Sequence, residues 1–335
     1  MRDIAASLGV SVITVSKVLR NQGRISKEMR ERVLRRAKDL NYRPDLTAQS
    51  LATGRTYLIG MVVPDLTHLF FAAFIKALSR NLRQRGYGLV ICSSDEDPVL
   101  ELQEIESLLA RRIDALVLAS SAHVKSSGAL SRLQEAKVPY LLFDRPVRGL
   151  NANFVGSDHM EIGKLATKHL IERGYHRIAH IGLSNLNIGS LRLRGYKSTL
   201  KECGYSIDPH HIILVESGDE RGEECGYKAM RELLKTKPAP DAICCFNDII
   251  AFGAQKAILE AGHSIPQDIA LIGVSNLAGL CFWNPLQVAL STIDQDVQQL
   301  AAQVTLRIQE MQEPQPQLGP KKIFVPLKLI VRESS

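Results

Sequence analysis

The 335-residue chain lacks the marks of most enzymes and membrane proteins. No apolar run reaches the roughly 18 residues of a membrane helix, and no apolar segment of an export signal follows the start. The chain contains no glycine-rich nucleotide loop, no His-Glu-x-x-His and no Gly-x-Ser-x-Gly. We therefore expect a soluble, cytoplasmic protein that is not an enzyme and has no cofactor.

Cysteines are few and are not spaced for metal binding. The six cysteines form no CxxC pair, and no histidines lie at zinc-site intervals from them. Most lie in apolar, strand-like runs, as Cys92 does at the end of residues 89–92, where a buried thiol is expected. No metal site is predicted.

Excess positive charge is confined to the first sixth of the chain. Residues 1–55 contain 12 Lys and Arg against 5 Asp and Glu, whereas residues 56–335 contain 30 of each. A compact basic segment on a neutral body is the pattern expected of phosphate binding. A solvated basic tail is the alternative, but such a tail would lack apolar residues at helical spacing.

Three short helices are predicted in this basic segment. The first covers residues 2–8 and ends at Gly9, which suits the left-handed conformation that closes a helix. Ser11 is a good N-cap for a second helix over residues 12–20, and a third follows Ser26. Small and apolar residues at these spacings let the first two helices pack closely, which predicts a helix-turn-helix unit.

From Thr56 onward, apolar strands alternate with helices in two sets. This alternation predicts an α/β fold of parallel sheets with helices on both faces, arranged as two lobes. Ligands of such folds bind beyond the carboxyl ends of the strands, and two facing lobes form a cleft that can close. The predicted strands are 58–63, 89–92, 115–118, 140–143, 177–182, 212–215, 242–245 and 269–273. The polar residues just past strand ends are Asp65, Ser94, Ser120, Asp144, Asn247, Asp248, Ser275 and Asn276.

Short motifs recur in order along the whole chain. They include Asp3-Ile4-Ala5, Gly9-Val10-Ser11, residues 14–19, Asn41-Tyr42-Arg43-Pro44, residues 48–55, residues 59–65, Asp144-Arg145-Pro146, Asn247-Asp248 and residues 331–334. Together these motifs resemble those of the LacI/GalR family of bacterial repressors. The resemblance implies a small all-α helix-turn-helix head and a core of two doubly wound lobes, like a type I periplasmic binding protein. It also implies a sequence-specific DNA-binding transcription regulator, a repressor, controlled by a small carbohydrate or carbohydrate derivative bound between the lobes.

This resemblance divides the chain into three parts. Residues 1–43 would form the DNA-binding domain, residues 44–56 the hinge, and residues 57–332 the effector-binding and dimerisation core. Within the core, we expect the first lobe to comprise about 57–157 and 291–320. The second lobe would comprise about 158–290 and 321–332.

The resemblance places the second helix in the major groove and the hinge in the minor groove. Apolar Val12 and Ile13 stand where the family commonly has a polar or small residue, so contacts with thymine methyls are expected beside Lys17. Alternatively, Ile13 packs against the third helix. Arginines, including Arg24, would contact phosphates. The residues assigned to DNA are Val12, Ile13, Thr14, Ser16, Lys17, Arg20, Arg43, Ala48, Leu51 and Arg55.

The hinge would form a helix of about two turns after Pro44. So short a helix is marginal alone, so it should fold when docked on its symmetry mate and on DNA. The resemblance implies that Leu51 wedges between base pairs, although it could be an ordinary linker leucine. Gln49 replaces a basic residue common in the family, which weakens electrostatic attraction to the minor groove.

Effector residues are also assigned by resemblance. Phe71 could equally belong to the core, Arg192 could be a surface charge, and Trp283 could stack on the ligand or pack in the core. Ser275 and Asn276 stand where the family usually has an aspartate that binds a sugar hydroxyl, which makes a modified or acidic ligand plausible. The assigned set is Phe70, Phe71, Ser120, Asp144, Arg192, Asn247, Asp248, Ser275 and Trp283.

We expect a homodimer, or a higher oligomer, paired mainly through the first lobe and bound to double-stranded DNA at a pseudo-palindromic operator. Two other classes of protein remain to be weighed. Folds of this kind also support catalysis, although no catalytic motif is present. A transport binding protein would share the core, but it would need an export signal and no basic head.

Overall fold

The computed structural model describes residues 1–19, 23–42, 54–121, 128–147, 149–216, 222–280, 288–313 and 319–335. The chain forms two compact units, Met1–Thr56 and Tyr57–Ser335, each of which is described by itself. In the described ranges, no helix is long and apolar enough to cross a membrane.

Within residues 1–19 and 23–42, the first unit forms three short helices. They are α1 (Arg2–Leu8), α2 (Val12–Leu19) and α3 (Lys27–Asp39). Gly9 ends α1 at a φ of +63°, a left-handed conformation that glycine adopts without strain. The Ser11 hydroxyl accepts a hydrogen bond of 3.0 Å from the Thr14 N–H, and Ser26 caps α3 in the same way. These caps are the ones that the sequence predicts.

One apolar cluster holds the three helices together. The α1 residues come from one helical face, and the buried α2 residues are spaced three apart, so each helix presents a single apolar face. The predicted helix-turn-helix head is confirmed. The buried members of the cluster are Ile4, Ala5, Val15, Val18, Val33 and Ala37.

The first sheet of the second unit is six-stranded and parallel throughout. Its order is β11-β5-β4-β3-β1-β2. The strands are β1 (Leu58–Val63), β2 (Gly88–Ser93), β3 (Ala115–Leu118), β4 (Tyr140–Phe143), β5 (Asn153–Gly156) and β11 (Lys322–Phe324). The helices that cover it are α4 (Leu69–Arg83), α5 (Pro98–Ala110), α6 (Gly128–Ala136) and α12 (Val297–Met311).

The second sheet has the same plan, with one antiparallel strand at its edge. Its order is β12-β10-β9-β8-β6-β7, and β12 runs antiparallel to β10. The strands are β6 (Ile178–Leu183), β7 (Ile212–Val215), β8 (Ala242–Cys245), β9 (Ala270–Val274), β10 (Ser291–Asp294) and β12 (Lys328–Ile330). The helices are α7 (His159–Glu172), α8 (Asn187–Glu202), α9 (Gly222–Leu233), α10 (Asp248–Glu260) and the short α11 (Leu277–Leu280).

Alternation along β1 shows why the first sheet is buried on both faces. Ile59, Met61 and Val63 pack in the cluster that contains α4 and α12, whereas Val62 packs in the cluster that contains α5 and α6. At Gly60 a Cβ would lie 2.7 Å from the Cδ1 atom of Ile113, so a side chain there would require this neighbour to shift. The expected doubly wound architecture is confirmed in both lobes.

The last part of the chain differs from the expected division between lobes. Residues 291–320 were expected in the first lobe and 321–332 in the second, but β10 pairs in the second sheet and β11 in the first. The chain therefore passes between lobes after β5, after β10 and after β11. The strands that mark these passages were not predicted, because each is short and contains polar residues or glycine that interrupt its apolar run.

Candidate functional site

The start of α2 presents a solvent-facing apolar surface. Val12 is 40% exposed and Ile13 is 67% exposed, and both lie outside the head's apolar cluster. The alternative that Ile13 packs against α3 is therefore wrong. Lys17 is exposed on the same helix, and its side chain passes over Gly23. The two exposed apolar side chains and the lysine form one surface, which suits contact with base edges.

One other assigned residue of the head, Thr14, has a local role as well, and a further contact links the helices. The Thr14 hydroxyl lies 2.9 Å from that of Ser11, so Thr14 takes part in capping α2. The Arg36 Nε donates to the Ser7 hydroxyl over 3.0 Å and links α3 to α1. Arg55 is exposed and Ser16 is half-buried. Four predicted DNA contacts lie outside the described residues: Arg20, Arg43, Ala48 and Leu51.

A cavity of about 610 Å³ lies beyond the carboxyl ends of both sheets, where the strand order predicts it. Its volume is in the range of small-molecule sites. Apolar and polar side chains from both lobes line it. Among them are Asp65, His68, Phe70, Phe71, Glu96, Asp144, Arg145, Ile188, Arg192, Phe246, Asn247, Ser275 and Gln295.

Arg192 on α8 is buried in the wall of this cavity, which excludes the alternative of a surface charge. Its Nη1 atom donates to the Phe246 carbonyl, and its guanidinium lies 4.3 Å from the centre of the Phe246 ring. Burial lowers the pKa of Arg192 to about 10, although Asp144 and Asp248 act in the opposite direction. Arg192 is still charged at neutral pH.

His159 holds Arg192 in place as a neutral acceptor. Its Nε2 atom lies 2.8 Å from the Asp144 carbonyl oxygen, so Nε2 carries the proton and donates. Nδ1 is then free to accept from Nη2 of Arg192 at 3.2 Å. Burial is the main reason why the pKa of His159 falls to about 4, so the imidazole is neutral at pH 7.

Gln295 joins the two lobes at the base of the cavity. Its amide nitrogen lies 3.4 Å from the Asp144 carboxylate and 3.2 Å from the Ser157 hydroxyl, both of which follow strands of the first sheet. Its amide oxygen accepts from the Ser275 hydroxyl, after β9 of the second sheet, at 3.2 Å. Sequence reasoning missed Gln295 because it follows β10, a strand that was not predicted.

Phe70 and Phe71 lie both in the core and in the cavity wall. Each is almost fully buried in the cluster of the first lobe, and each also lines the cavity. The alternatives for Phe71 are therefore not exclusive. Asn247 caps α10, since its side-chain oxygen accepts from the Ile250 N–H at 2.9 Å, and it too lines the cavity.

Two assigned effector residues lie outside the cavity lining. The Asp248 carboxylate accepts from the Leu277 N–H and the Thr292 hydroxyl, each at 2.7 Å. The Ser120 hydroxyl donates to the buried carboxylate of Glu101 at 2.8 Å. Both residues follow strands as predicted, but their polar groups serve internal contacts. Trp283 lies outside the described residues.

Three further polar residues of the cavity were missed. Arg145 binds Glu96 with two hydrogen bonds, of 2.6 Å and 2.7 Å, and its guanidinium lies 6.0 Å from the centre of the Phe71 ring. His68 lies before α4, with its ring 5.7 Å from that of Phe71. Arg145 directly follows Asp144 in a quoted motif, so its position beside a strand end was the available signal.

A helix-turn-helix head joined in one chain to a two-lobed core with a polar cleft defines a ligand-responsive DNA-binding regulator. Residues 1–45 match the family model for bacterial regulatory proteins of the lacI family. Residues 56–332 match the model for periplasmic binding proteins and the sugar-binding domain of the LacI family. The chain belongs to the LacI family, and it is a transcription regulator and not an enzyme.

Characterised relatives match over nearly the whole chain. The ribose operon repressor of Halalkalibacterium halodurans is 32% identical, covering 100% of this chain and 96% of the relative. The transcriptional repressor PurR of Haemophilus influenzae is 33% identical, covering 90% of this chain and 88% of the relative. A lac repressor dimer solved with operator and the anti-inducer ONPF superposes with a TM-score of 0.83 at 25% identity, covering 99% and 97%.

Proposed function

We propose that this protein is a repressor that binds a pseudo-palindromic operator as a homodimer and responds to a small carbohydrate-type effector. The observation that carries the proposal is the buried Arg192 in a cleft between two lobes, in a chain that begins with a helix-turn-helix head. The related repressors and the operator-bound dimer support the same function. Because such a regulator must reach the chromosome, we infer that it acts in the cytoplasm.

The head would read DNA through the exposed start of α2. Val12, Ile13 and Lys17 would face base edges, and arginines including Arg55 would contact phosphates, which position the head without reading sequence. We propose residues 1–43 as the DNA-binding domain, 44–56 as the hinge and the remainder to 332 as the core. In the hinge, Leu51 would wedge between base pairs.

Exposed apolar residues support dimerisation through the first lobe. Ile91 lies on β2, the outermost strand of its sheet, and Val99 near the start of α5 is 64% exposed. Leu69 at the start of α4 is exposed as well. Exposed apolar surface and an open strand edge favour association with a second copy.

Coupling between effector and operator would run through the movement of the lobes. A ligand in the cleft contacts both lobes, so it favours one arrangement of them over another. Gln295 bonds to both lobes at the base of the cleft and would respond to that movement. A change in the relative position of the first lobes of the two protomers would allow or prevent formation of the paired hinge helices. Effector binding and operator binding would then be coupled by a free energy of about 1–3 kcal/mol.

Selection of DNA from a random library by the full chain tests this function. We expect recovery of a pseudo-palindrome, bound with an affinity that falls steeply as salt is raised. The matched experiment uses residues 57–335, which form a compact unit and should recover no DNA. If the full chain showed no salt-sensitive preference for any palindrome, the proposed function would be wrong.

A further inference from the structure

Three buried nitrogen atoms in the cleft wall have no hydrogen-bond partner among the residues that the structure describes. They are Nδ1 of His68, Nε of Arg145 and Nε of Arg192. The two arginines are more than nine-tenths buried. Buried polar groups are almost always hydrogen-bonded, so three such atoms around one cavity indicate that a ligand completes their bonding.

The two arginine nitrogens can act only as donors. Both terminal nitrogens of Arg145 are held by the Glu96 carboxylate, and those of Arg192 are held by the Phe246 carbonyl and by His159. These bonds fix each guanidinium plane, so the remaining N–H has a set direction. A guanidinium has no acceptor atom, so the ligand must bring the acceptor.

Five carboxylates line the cleft, and the two in its deeper wall are already engaged. Glu96 is held by Arg145, and Asp144 accepts from Gln295. The other three lie at the more exposed mouth: Asp65, which accepts from the N–H and the hydroxyl of Thr67, and the exposed Asp95 and Glu216. In the deeper wall, two guanidinium charges balance two carboxylate charges, and the two unpartnered arginine Nε atoms are donors.

His68 contributes the third unpartnered nitrogen. Its pKa lies below the usual value, chiefly because of burial; the charges of Arg145 and Arg192 act in the same direction, while Asp65 and Asp144 oppose them. In the tautomer of a neutral imidazole that carries its proton on Nδ1, this nitrogen donates to the ligand. His68, Arg145 and Arg192 line the same cavity.

We propose that the effector is a sugar that carries an anionic group, a carboxylate or a phosphate, whose oxygens accept hydrogen bonds from His68, Arg145 and Arg192. This inference rests on the proposed effector function of the cleft and specifies its ligand class. Charge-assisted bonds from guanidinium to an oxyanion are about twice as strong as neutral ones. The acid group would therefore lie against these three residues.

Calorimetric titration of the full chain with matched pairs tests the ligand class. The pairs are D-galacturonate with D-galactose, D-gluconate with D-glucitol, and D-glucose 6-phosphate with D-glucose. We expect at least one acid to bind about tenfold or more tightly than its neutral partner, because charge-assisted bonds are lost with the neutral one. The first two pairs report a carboxylate and the third reports a phosphate.

Variants of the cleft locate the anionic group. Arg145→Gln and, separately, His68→Phe should each weaken binding of the preferred acid by about tenfold and narrow its advantage over the neutral partner. Arg194→Gln, at an exposed position on the same helix as Arg192, should leave both affinities unchanged. Thermal unfolding of each variant checks that the chain is folded. If Arg145→Gln does not fold, His68→Phe alone provides the test.

Several outcomes would overturn the inference. The first is that none of the acids binds. The second is that a neutral partner binds as tightly as its acid or more tightly. The third is that a folded His68 or Arg145 variant binds the acid with an affinity within about twofold of wild type. A neutral sugar that bound in the cleft and changed operator affinity would overturn the ligand class and leave the proposed function intact. Absence of operator binding by the full chain would instead contradict the proposed function, and it is measured separately.

Discussion

Gln295 connects both lobes with a single side chain. Replacing it with alanine removes two hydrogen bonds to the first lobe and one to Ser275 of the second. Because the partners stay buried, we expect Gln295→Ala to lower the free energy of unfolding by about 2 kcal/mol, measured by urea denaturation. Gln298→Ala removes an exposed hydrogen bond with Arg80 and should change the free energy of unfolding by less than about 0.5 kcal/mol. Equal effects of the two variants would contradict the role of Gln295.

Arg192 offers a second test at the same scale. Arg192→Ala removes the guanidinium that packs on the Phe246 ring and bonds to His159 in the wall of the cleft. We expect operator binding to persist while the response of that binding to effector is lost, as measured by fluorescence anisotropy with labelled operator. Arg194→Ala is the matched control on the neighbouring exposed position. An unchanged response in Arg192→Ala would refute the assignment.

Sequence reasoning could find residues but not the direction of their polar groups. Asp144, Asn247 and Ser275 follow strand ends and do line the cleft, whereas Ser120 and Asp248 follow strand ends equally well and bond inward. The difference depends on partners that come from distant parts of the chain, such as Glu101 for Ser120. The resemblance to a family supplied Arg192, which no composition or spacing would single out.

Pairs of helices in the second lobe cross with their backbones in close contact. A Cβ at Gly163 of α7 would lie 2.1 Å from the Arg192 carbonyl oxygen on α8, and one at Gly195 of α8 would lie 2.1 Å from the Met160 carbonyl oxygen. Gly226 and Gly253 make the same kind of crossing between α9 and α10. The close α7–α8 crossing therefore fixes the position of the Arg192 backbone relative to α7, and with it the position of Arg192 in the cleft wall.

Gly163→Ala tests that crossing. The new methyl group must push α8 away, so we expect a loss of about 2 kcal/mol of unfolding free energy and weaker effector binding through displaced Arg192. Gly128→Ala on α6 places its Cβ 3.5 Å from the Leu102 Cδ2 atom, an ordinary contact, and should be tolerated. Urea denaturation and ligand titration of both variants provide the measurement, and wild-type effector binding by Gly163→Ala would contradict the link to Arg192.

The two faces of α2 can be separated by paired substitutions. Ile13→Ala changes an exposed side chain, so the head should keep its stability to within about 0.5 kcal/mol while operator affinity falls. Val15→Ala on the buried face should destabilise the head by about 2 kcal/mol. Circular dichroism melting and operator titration distinguish the two effects. Destabilisation by Ile13→Ala would contradict the outward position of that residue.

Short strands mark the limit of prediction at the scale of elements. The continuous apolar runs of β1, β4 and β8 were predicted with the bounds that the structure has. Strands β5, β10, β11 and β12 were missed, since each is short and contains polar residues or glycine that interrupt the apolar run. Two of them, β11 and β12, lie at sheet edges, where half-exposed positions also weaken the apolar signal.

For the whole molecule, buried histidines make stability depend on pH. Burial lowers the pKa of His159 to about 4 and that of His180 to about 3, below the roughly 6.5 of an unfolded chain. The unfolded state therefore binds more protons, and stability is complete above pH 6.5 and is lost as pH falls towards 4. Asp248 opposes this trend, because burial raises its pKa to about 7 and its contribution is lost as pH rises through that value.

Two histidines outweigh one carboxyl between pH 4 and 6.5, so unfolding free energy should rise with pH over that window by a few kcal/mol. Urea denaturation at pH 5 and pH 6.5 measures the rise. His180→Leu should reduce this rise in unfolding free energy, because leucine cannot bind a proton in either state. It replaces a histidine that is buried in its neutral form beside Tyr196. A profile that is flat, or that falls between these two pH values, would contradict the account.

The three passages of the chain between lobes have a consequence for synthesis on the ribosome. Strand β5 pairs with β11, which is synthesised more than 160 residues later. Strand β9 pairs with β10, and β10 in turn pairs with β12 near the end of the chain. The sides of β5 and β10 that β11 and β12 later cover therefore stay unpaired until the final tenth of the polypeptide has emerged. At elongation rates of about 5–20 residues per second, nascent chains would expose these edges for several seconds or more. Newly made copies are then most prone to pair wrongly with one another.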